Sequence, residues 1–222
     1  MFIWLILSLV AASLGIIAIQ QNNRKLKLFA KPAVMVFLWI WLYTGTGLQG
    51  NSLWFGLGIL LSLVGDVILV NPSDRMFLLG LIAFLFTHVF YLIGFKEKLL
   101  NLTAWSFVLM FFIFINGLRL TRRIVGAMRA KQQNSLVSPV IVYSLVISLM
   151  LYAAMSTIFD PAWTTRAAFF VSVGAFLFYL SDLILAWNKF VSPLTNAPML
   201  NIFPYYLGQI SLIAGVISQY GR

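Results

Sequence analysis

The stretch Leu61–Phe95, LSLVGDVILVNPSDRMFLLGLIAFLFTHVFYLIGF, contains two long apolar runs separated by the turn-forming residues Asn71–Asp74. Because Asn and Pro favour turns and Pro interrupts helices, the pattern predicts two apolar helices joined by a tight turn. The first run carries one carboxylate, Asp66, and the second carries His88, the only histidine in the chain. Ionisable groups inside apolar helices are the first candidates for a functional site.

The composition of the whole chain indicates a membrane protein. Of its 222 residues, 62% are hydrophobic and only 9% are charged, and the mean hydropathy is +0.98. Soluble domains are about half apolar and about a quarter charged, so a single soluble core cannot bury this excess. We therefore predict an all-α, polytopic transmembrane helix bundle in which residues 1–222 form a single integral membrane domain. The absence of cysteine excludes disulfide bonds, thiolate nucleophiles and cysteine metal sites.

Apolar runs of about 18–20 residues predict eight membrane spans. The runs cover approximately residues 2–19, 32–48, 53–70, 76–95, 102–118, 137–158, 166–187 and 201–219. The prolines fall near the ends of these runs, where we expect helices to begin or end. The first run lacks a basic flank and is long enough to span, so we expect a retained helix rather than a cleaved signal peptide.

The basic residues are concentrated in the connections between spans. A net charge of +10 suggests nucleic acid in a soluble protein, but membrane topology explains these residues better, and we expect no nucleic-acid partner. Eleven of the fifteen lysines and arginines follow spans one, three, five and seven. The positive-inside rule then places these connections in the cytoplasm and both termini outside, and we expect the inner membrane of a bacterium.

A short internal sequence similarity predicts a four-plus-four arrangement of the spans. Gly65–Leu69 reads GDVIL in span three, and Ser181–Leu185 reads SDLIL in span seven. Four spans separate the two segments, so the two halves would have the same orientation, as in parallel repeats.

The basic segment Arg119–Gln133 has two interpretations. Its apolar residues follow helical spacing with arginines between them, which is typical of a cytoplasmic amphipathic helix that binds anionic lipid head groups. Alternatively, the segment is the solvated end of span five and carries the usual cytoplasmic charge.

Asp66 and Asp182 are the two carboxylates that fall inside predicted spans. Insertion of each costs about 2.5–3.5 kcal/mol, so a partner or a task is expected. Counted from the cytoplasmic ends of their spans, they lie at depths of about 6 Å and about 7.5 Å. Two neighbouring carboxylates cannot both ionise easily at low dielectric, so we expect the pair to converge and share a proton. The structural alternative is two separate residues, each satisfied by a hydroxyl such as that of Ser62 or Tyr179.

His88 lies about 18 Å along span four, deeper than the two carboxylates. A catalytic or substrate-orienting role and a structural hydrogen bond between helices both remain open. One histidine excludes a three-histidine zinc site, and the difference in depth argues against a site made of His88, Asp66 and Asp182. We therefore expect no metal.

Further candidates for substrate binding are polar residues within the spans: Tyr91, Asn116, Tyr179, Tyr205, Tyr206 and Gln209. Tyr205 and Gln209 are spaced i and i+4, so they share one helix face near the predicted depth of the carboxylates. Tyr205 and Tyr206 also fit an interfacial aromatic belt. Asn116, near the end of span five, is a weaker candidate, as are Tyr143 and Tyr152 in span six.

Three ordered motifs resemble the YhhN-like lysoplasmalogenase family. The first is SLVGDVIL followed by GL-x2-F-x3-H-x2-Y, which ends at Tyr91; the others are YLSDLILA around Asp182 and the YYLGQ segment Tyr205–Gln209. Members of this family are multi-pass membrane hydrolases that cleave the vinyl ether bond of lysoplasmalogens to a fatty aldehyde and glycerophosphoethanolamine or glycerophosphocholine. The resemblance implies that Asp66 and Asp182 are the paired catalytic aspartates and that His88 is the family histidine.

The chemistry implied by this resemblance needs two carboxyl groups and no cofactor. One acid protonates the outer vinyl carbon, and the other group stabilises the oxocarbenium ion and orients the attacking water. The partners would be a lysophospholipid substrate and the surrounding membrane lipids, with the phosphate held by basic residues near the cytoplasmic side: Arg75, Arg119, Arg122, Arg123 and Lys189. Two alternatives are a small proton-coupled transporter that uses the same aspartates and a non-catalytic membrane organiser.

Overall fold

A computed structural model describes residues 2–71, 73–95 and 103–221 of the chain. Eight α-helices account for most of these residues: α1 Phe2–Gln20, α2 Arg24–Thr46, α3 Ser52–Ile68, α4 Asp74–Gly94, α5 Ala104–Ala130, α6 Val137–Ser156, α7 Thr165–Ala186 and α8 Ala197–Tyr220. Seven of the described helices are long and apolar enough to cross a membrane, and α3 is a shorter apolar helix. The prediction of an all-α, multi-pass membrane bundle is confirmed.

The prediction that prolines mark helix ends is wrong at two positions. Pro32 lies inside α2, which begins at Arg24, and Pro204 lies inside α8, which begins at Ala197. Proline is tolerated within membrane helices because neighbouring helices and local adjustments satisfy the backbone groups that it frees. The Asn23 side chain caps α2 by accepting from the Leu26 amide at 3.1 Å, and this cap sets the true start of the helix.

The basic segment after span five is the end of a single long helix. Helix α5 runs without interruption from Ala104 to Ala130, as the solvated-end interpretation expects. Ile124 and Met128 are buried in a small apolar cluster with Phe77 and Phe190. The apolar face that we considered for lipid head groups therefore packs against the protein itself.

The turn between α3 and α4 lies at the turn-forming residues, as the sequence predicts. Ser73 caps α4 by accepting from the Met76 amide at 3.3 Å, and α4 begins at Asp74 as the turn chemistry predicts. The two helices approach closely at glycines: a Cβ added to Gly65 would lie 2.7 Å from the Phe84 ring. This packing fixes the part of α3 that carries Asp66 relative to α4. Pro72 itself lies outside the described residues.

Helix α8 lies at the centre of the bundle and contacts α1, α2, α3 and α7. Its approach to α7 depends on two glycines, because a Cβ on Gly174 would lie 2.4 Å from the Leu212 nitrogen and one on Gly208 would lie 2.8 Å from the Phe178 nitrogen. Close backbone contact through small residues is typical of helix packing in lipid. The predicted internal repeat stays a prediction.

Candidate functional site

Asp66 lies where helices α2, α3 and α8 meet. Its carboxylate is 1% exposed, and Lys31 Nζ on α2 lies 3.2 Å from its Oδ1. The Tyr205 hydroxyl on α8 donates to its Oδ2 at 2.8 Å. A buried charge needs an opposite charge and hydrogen bonds, and Asp66 has both.

Asp182 on α7 belongs to a second cluster, with side chains from α4 and α6. The Tyr143 hydroxyl donates to Asp182 Oδ2, and His88 Nε2 lies 3.1 Å from the same oxygen. His88 Nε2 and the Tyr143 hydroxyl are themselves 3.0 Å apart. The Asp182 side chain is 11% exposed, whereas His88 is fully buried. The His88 Nδ1 atom is buried and has no hydrogen-bond partner in the part of the chain that the structure describes.

An aromatic ring lies between the two clusters. The Phe178 ring contacts the His88 ring edge-on at a centroid distance of 4.7 Å and the Tyr205 ring at 5.4 Å. Among the described residues, Asp66 and Asp182 have separate partners and do not hydrogen bond to each other. The expectation of a directly shared proton is therefore wrong, because each carboxylate is engaged by side chains from other helices.

A third polar network lies beside the Asp66 cluster. Gln209 on α8 donates from Nε2 to the Ser62 hydroxyl at 2.9 Å and accepts from the Tyr91 hydroxyl at 2.7 Å. The Ser62 hydroxyl also donates to Thr87 at 3.3 Å. Tyr205 and Gln209 both reach α3, as their i and i+4 spacing predicts. All four side chains of this network are buried, and their hydrogen bonds connect α3, α4 and α8.

An apolar cavity opens at the Asp182 cluster. Its volume is ≈ 60 Å³, and Asp182, Tyr143, Ser144, Thr121 and Tyr179 are the polar residues of its wall. The remainder of the wall comes from apolar side chains, which include Leu69, Phe84, Ile124, Ile147, Leu185 and Phe190. A wall of this composition matches a hydrocarbon chain with one polar group near its end.

A second cavity, the lysine cavity, opens on the Asp66 side. It is lined by Lys27, Lys31, Asn22, Asn188 and Asn201 together with apolar residues, and its volume is ≈ 600 Å³. Leu69 and Leu185 line both cavities. The two spaces are therefore neighbours, one apolar beside Asp182 and one basic beside Asp66.

The depth count for His88 needs a correction. The count placed His88 deeper than the carboxylates, but His88 contacts Asp182 directly. Helix α7 continues as a π-helix from Trp187 to Val191, so Asp182 lies farther from the end of its span than expected. Counting residues also ignores helix tilt, which moves side chains relative to the membrane normal.

Three further expectations need correction. Tyr205 and Tyr206 are both buried, which contradicts the aromatic-belt interpretation. Asn116 faces outward and donates to the Phe112 carbonyl of its own helix, so it does not join the site. In the structural alternative only the residues named as examples were wrong: each aspartate does accept from a hydroxyl, Asp66 from that of Tyr205 and Asp182 from that of Tyr143, not from Ser62 or Tyr179.

The basic residues expected at the phosphate line neither cavity: Arg75, Arg119, Arg122, Arg123 and Lys189. Arg123 lies over the Trp187 ring, and Lys189 pairs with the exposed Asp74. Sequence reasoning missed Lys31, because we placed the start of span two at Pro32 and counted Lys31 with the connection. The signal that was available is Asn23, a good helix cap, which puts Lys31 two turns inside α2.

Comparison with known proteins agrees with the sequence motifs. The YhhN family matches residues 26–216 of the chain. Lysoplasmalogenase TMEM86B of Mus musculus is 29% identical over 200 residues, covering 85% of this chain and 72% of the mouse protein. Lysoplasmalogenase TMEM86B of Homo sapiens is 28% identical over 184 residues, covering 81% and 69% of the two chains.

Lysoplasmalogenase TMEM86A of Homo sapiens is 29% identical over 157 residues, which are 69% of this chain and 60% of the human protein. No solved structure matches the chain. The family match covers most of the chain, including both aspartates, His88, Lys31 and the YYLGQ segment of α8. From the ordered motifs and this match, we conclude that the chain belongs to the YhhN family.

Proposed function

We propose that this protein is a lysoplasmalogenase that hydrolyses the vinyl ether bond of a lysophospholipid. The observation that carries the proposal is the position of Asp182, which lines an apolar cavity that shares Leu69 and Leu185 with a basic cavity. A lysoplasmalogen has the matching halves, an alkenyl chain and a phosphate-bearing head group, with the vinyl ether at their junction. The lysoplasmalogenase activity of the relatives supports the same substrate class.

Asp182 is the better placed of the two carboxyl groups to act as the acid. Its side chain reaches the apolar cavity, whereas that of Asp66 is 1% exposed. Tyr143 and His88 both engage Oδ2, so Oδ1 has no hydrogen-bond partner among the described residues and is left for the substrate. In its acid form, Asp182 delivers its proton to the outer vinyl carbon, and the ether carbon becomes an oxocarbenium ion.

Water completes the reaction and restores the acid. A water molecule attacks the oxocarbenium carbon, and its proton returns to the Asp182 carboxylate. The hemiacetal then collapses to the fatty aldehyde and the glycerophospho head group. Asp66 contributes negative charge on the head-group side of the reacting carbon, as the second carboxylate does in glycosidases.

A proton-coupled transporter remains the second candidate, and one observation favours it. The Asp182, His88 and Tyr143 side chains form a continuous hydrogen-bonded chain across three helices, as a proton relay requires. The wall of the adjoining cavity is mostly apolar, however, which fits a lipid tail better than a polar solute.

Aldehyde release from a synthetic lysoplasmalogen by purified protein in detergent separates the two functions. We expect turnover without a sealed membrane, because the reaction needs no gradient. The matched control is the saturated ether lysolipid, which has no vinyl bond and must give no aldehyde. If no aldehyde forms in detergent while solute movement is seen in sealed vesicles, the transporter interpretation replaces the hydrolase.

A further inference from the structure

Resting on the proposed function, we propose that Lys31 is the phosphate-binding residue of a head-group subsite in the lysine cavity. When a lipid binds, the Lys31 ammonium group moves from the Asp66 carboxylate to the phosphate, and this movement frees the carboxylate for the reaction. The ligand class is a lysolipid with a single anionic phosphodiester. The ion pair of the free protein is therefore the resting state of the site.

Lys31 occupies the boundary between the buried carboxylate and the cavity. Its side chain is 22% exposed, against 1% for Asp66, and it lines the cavity that Asp66 itself does not reach. A lysine ammonium has three hydrogen-bond donors. Among the described side chains, Asp66 is its one hydrogen-bond acceptor, and the Tyr205 ring lies 5.7 Å from the nitrogen. Donors therefore remain for an anion in the cavity.

The charge of the lysine cavity matches a phosphodiester. Lys27 and Lys31 line it, and none of its lining residues is acidic. Lys27 Nζ donates to the side-chain oxygen of Asn22 at 3.0 Å, so its positive charge has no carboxylate partner there. Both ammonium groups attract a single anionic group into this space. Lys31 is the one of the two that links the space to a carboxylate.

The exchange of partners links head-group binding to catalysis. When Lys31 moves to the phosphate, Asp66 keeps the Tyr205 hydrogen bond but loses its counter-charge. A buried unpaired carboxylate is unfavourable, and the oxocarbenium ion supplies a new positive counter-charge when it forms. The attraction is thus stronger in the transition state than in the bound ground state, which is the requirement for a rate increase. The transfer moves one ammonium group and makes no covalent bond.

Binding of non-cleavable lipids tests the subsite without any turnover. The probes are 1-O-alkyl-lysophosphatidylethanolamine, which has the head group but no vinyl bond, and 1-O-alkylglycerol, which lacks the phosphate. We expect wild-type protein in detergent to bind the phospholipid at least about tenfold more tightly, and Lys31→Met to bind the two alike. Retention of the full phosphate preference by Lys31→Met overturns the proposal.

Three variants control for folding and for charge. Lys31→Met with Asp66→Asn removes both partners, so the core keeps its charge balance, and it must also lose the phosphate preference. Lys31→Arg keeps the charge and must retain most of the preference. Lys27→Met removes an equal charge from the same cavity and must lose less than Lys31→Met; an equal loss reduces the effect to general charge attraction and overturns the assignment to Lys31.

Turnover distinguishes failure of the subsite from failure of the proposed function. With an alkenylglycerol that lacks phosphate, wild-type kcat must fall, because only a phosphate draws Lys31 away from Asp66. Glycerol 3-phosphate as a competitor shows whether the subsite takes a soluble phosphate ester or only one attached to a lipid. Phosphate-dependent lipid binding without aldehyde release supports the subsite and overturns the lysoplasmalogenase assignment. Aldehyde release at the same rate with and without a phosphate on the substrate supports the lysoplasmalogenase assignment and overturns the subsite.

Discussion

The two buried aspartates have opposite surroundings. Asp66 has a lysine counter-ion and a tyrosine hydroxyl and is shut away from both cavities. Asp182 has a tyrosine hydroxyl and a histidine, no lysine or arginine partner among the described residues, and a side chain that reaches an apolar cavity. Identical side chains in similar sequence contexts, GDVIL and SDLIL, thus have different surroundings because different helices pack around them.

In the proposed function, this difference is the basis for the roles that the sequence leaves open. A carboxyl group that gives up and regains a proton needs access to the reacting carbon and hydrogen bonds that hold it in place. A carboxylate that acts through its charge needs a fixed position and a counter-charge until the substrate arrives. Asp182 meets the first description and Asp66 meets the second. The predictions below test this division, from the largest expected effect to the smallest.

Asp182→Asn must have the largest effect on aldehyde release, a loss of about 10³-fold, because an amide cannot deliver the proton. The loss must be the same with phosphate-bearing and phosphate-free alkenyl substrates. Asp74→Asn is the matched control, since Asp74 is an exposed carboxylate paired with Lys189, and it must keep near-full turnover. If Asp182→Asn keeps more than about a tenth of the wild-type rate, Asp182 is not the acid.

Asp66→Asn must lower turnover by about 10²-fold and must also destabilise the protein, because it leaves the Lys31 ammonium without a carboxylate. Thermal unfolding in detergent measures the second effect. Adding Lys31→Met to Asp66→Asn must recover the unfolding temperature but not the rate. Equal thermal stability of Asp66→Asn and wild type contradicts a stabilising ion pair at this position.

Tyr143→Phe and His88→Gln must each lower turnover by about tenfold, since each removes or weakens a hydrogen bond to Asp182 Oδ2. Because both groups engage one oxygen, their effects must not add, and the double variant must lose less than the product of the two single losses. The measurement is a double-mutant cycle on kcat/KM. Full additivity would mean that the two side chains act at separate places.

Tyr91→Phe must have the smallest effect on turnover, less than about threefold. The Tyr91 hydroxyl donates to Gln209 in a buried network that lines neither cavity. Loss of this hydrogen bond costs about 1 kcal/mol of stability, so the unfolding temperature must fall slightly while the rate stays close to that of wild type. A large loss of rate in a stable Tyr91→Phe variant would extend the catalytic site to this third network.

The sequence predicts the helices and both aspartates because these depend on local properties. Long apolar runs indicate spans whatever surrounds them, and a carboxylate inside such a run is conspicuous at once. The partners of those carboxylates depend on which helices touch. Tyr143 on α6 and Lys31 on α2 are far from the aspartates in sequence, and their contacts follow only from the packing. Lys31 was also overlooked because Pro32 suggested that the helix begins at residue 32, directly after Lys31, whereas α2 begins at Arg24.

The shared wall formed by Leu69 and Leu185 has a consequence for which lipids the protein accepts. A lipid seated as proposed is anchored by its phosphate on one side of these leucines, and its hydrocarbon extends away on the other. The position of the scissile bond is then set by its distance from the anchored phosphate. Lengthening the tail leaves that distance unchanged, whereas inserting one carbon between phosphate and glycerol moves the bond out of reach of Asp182.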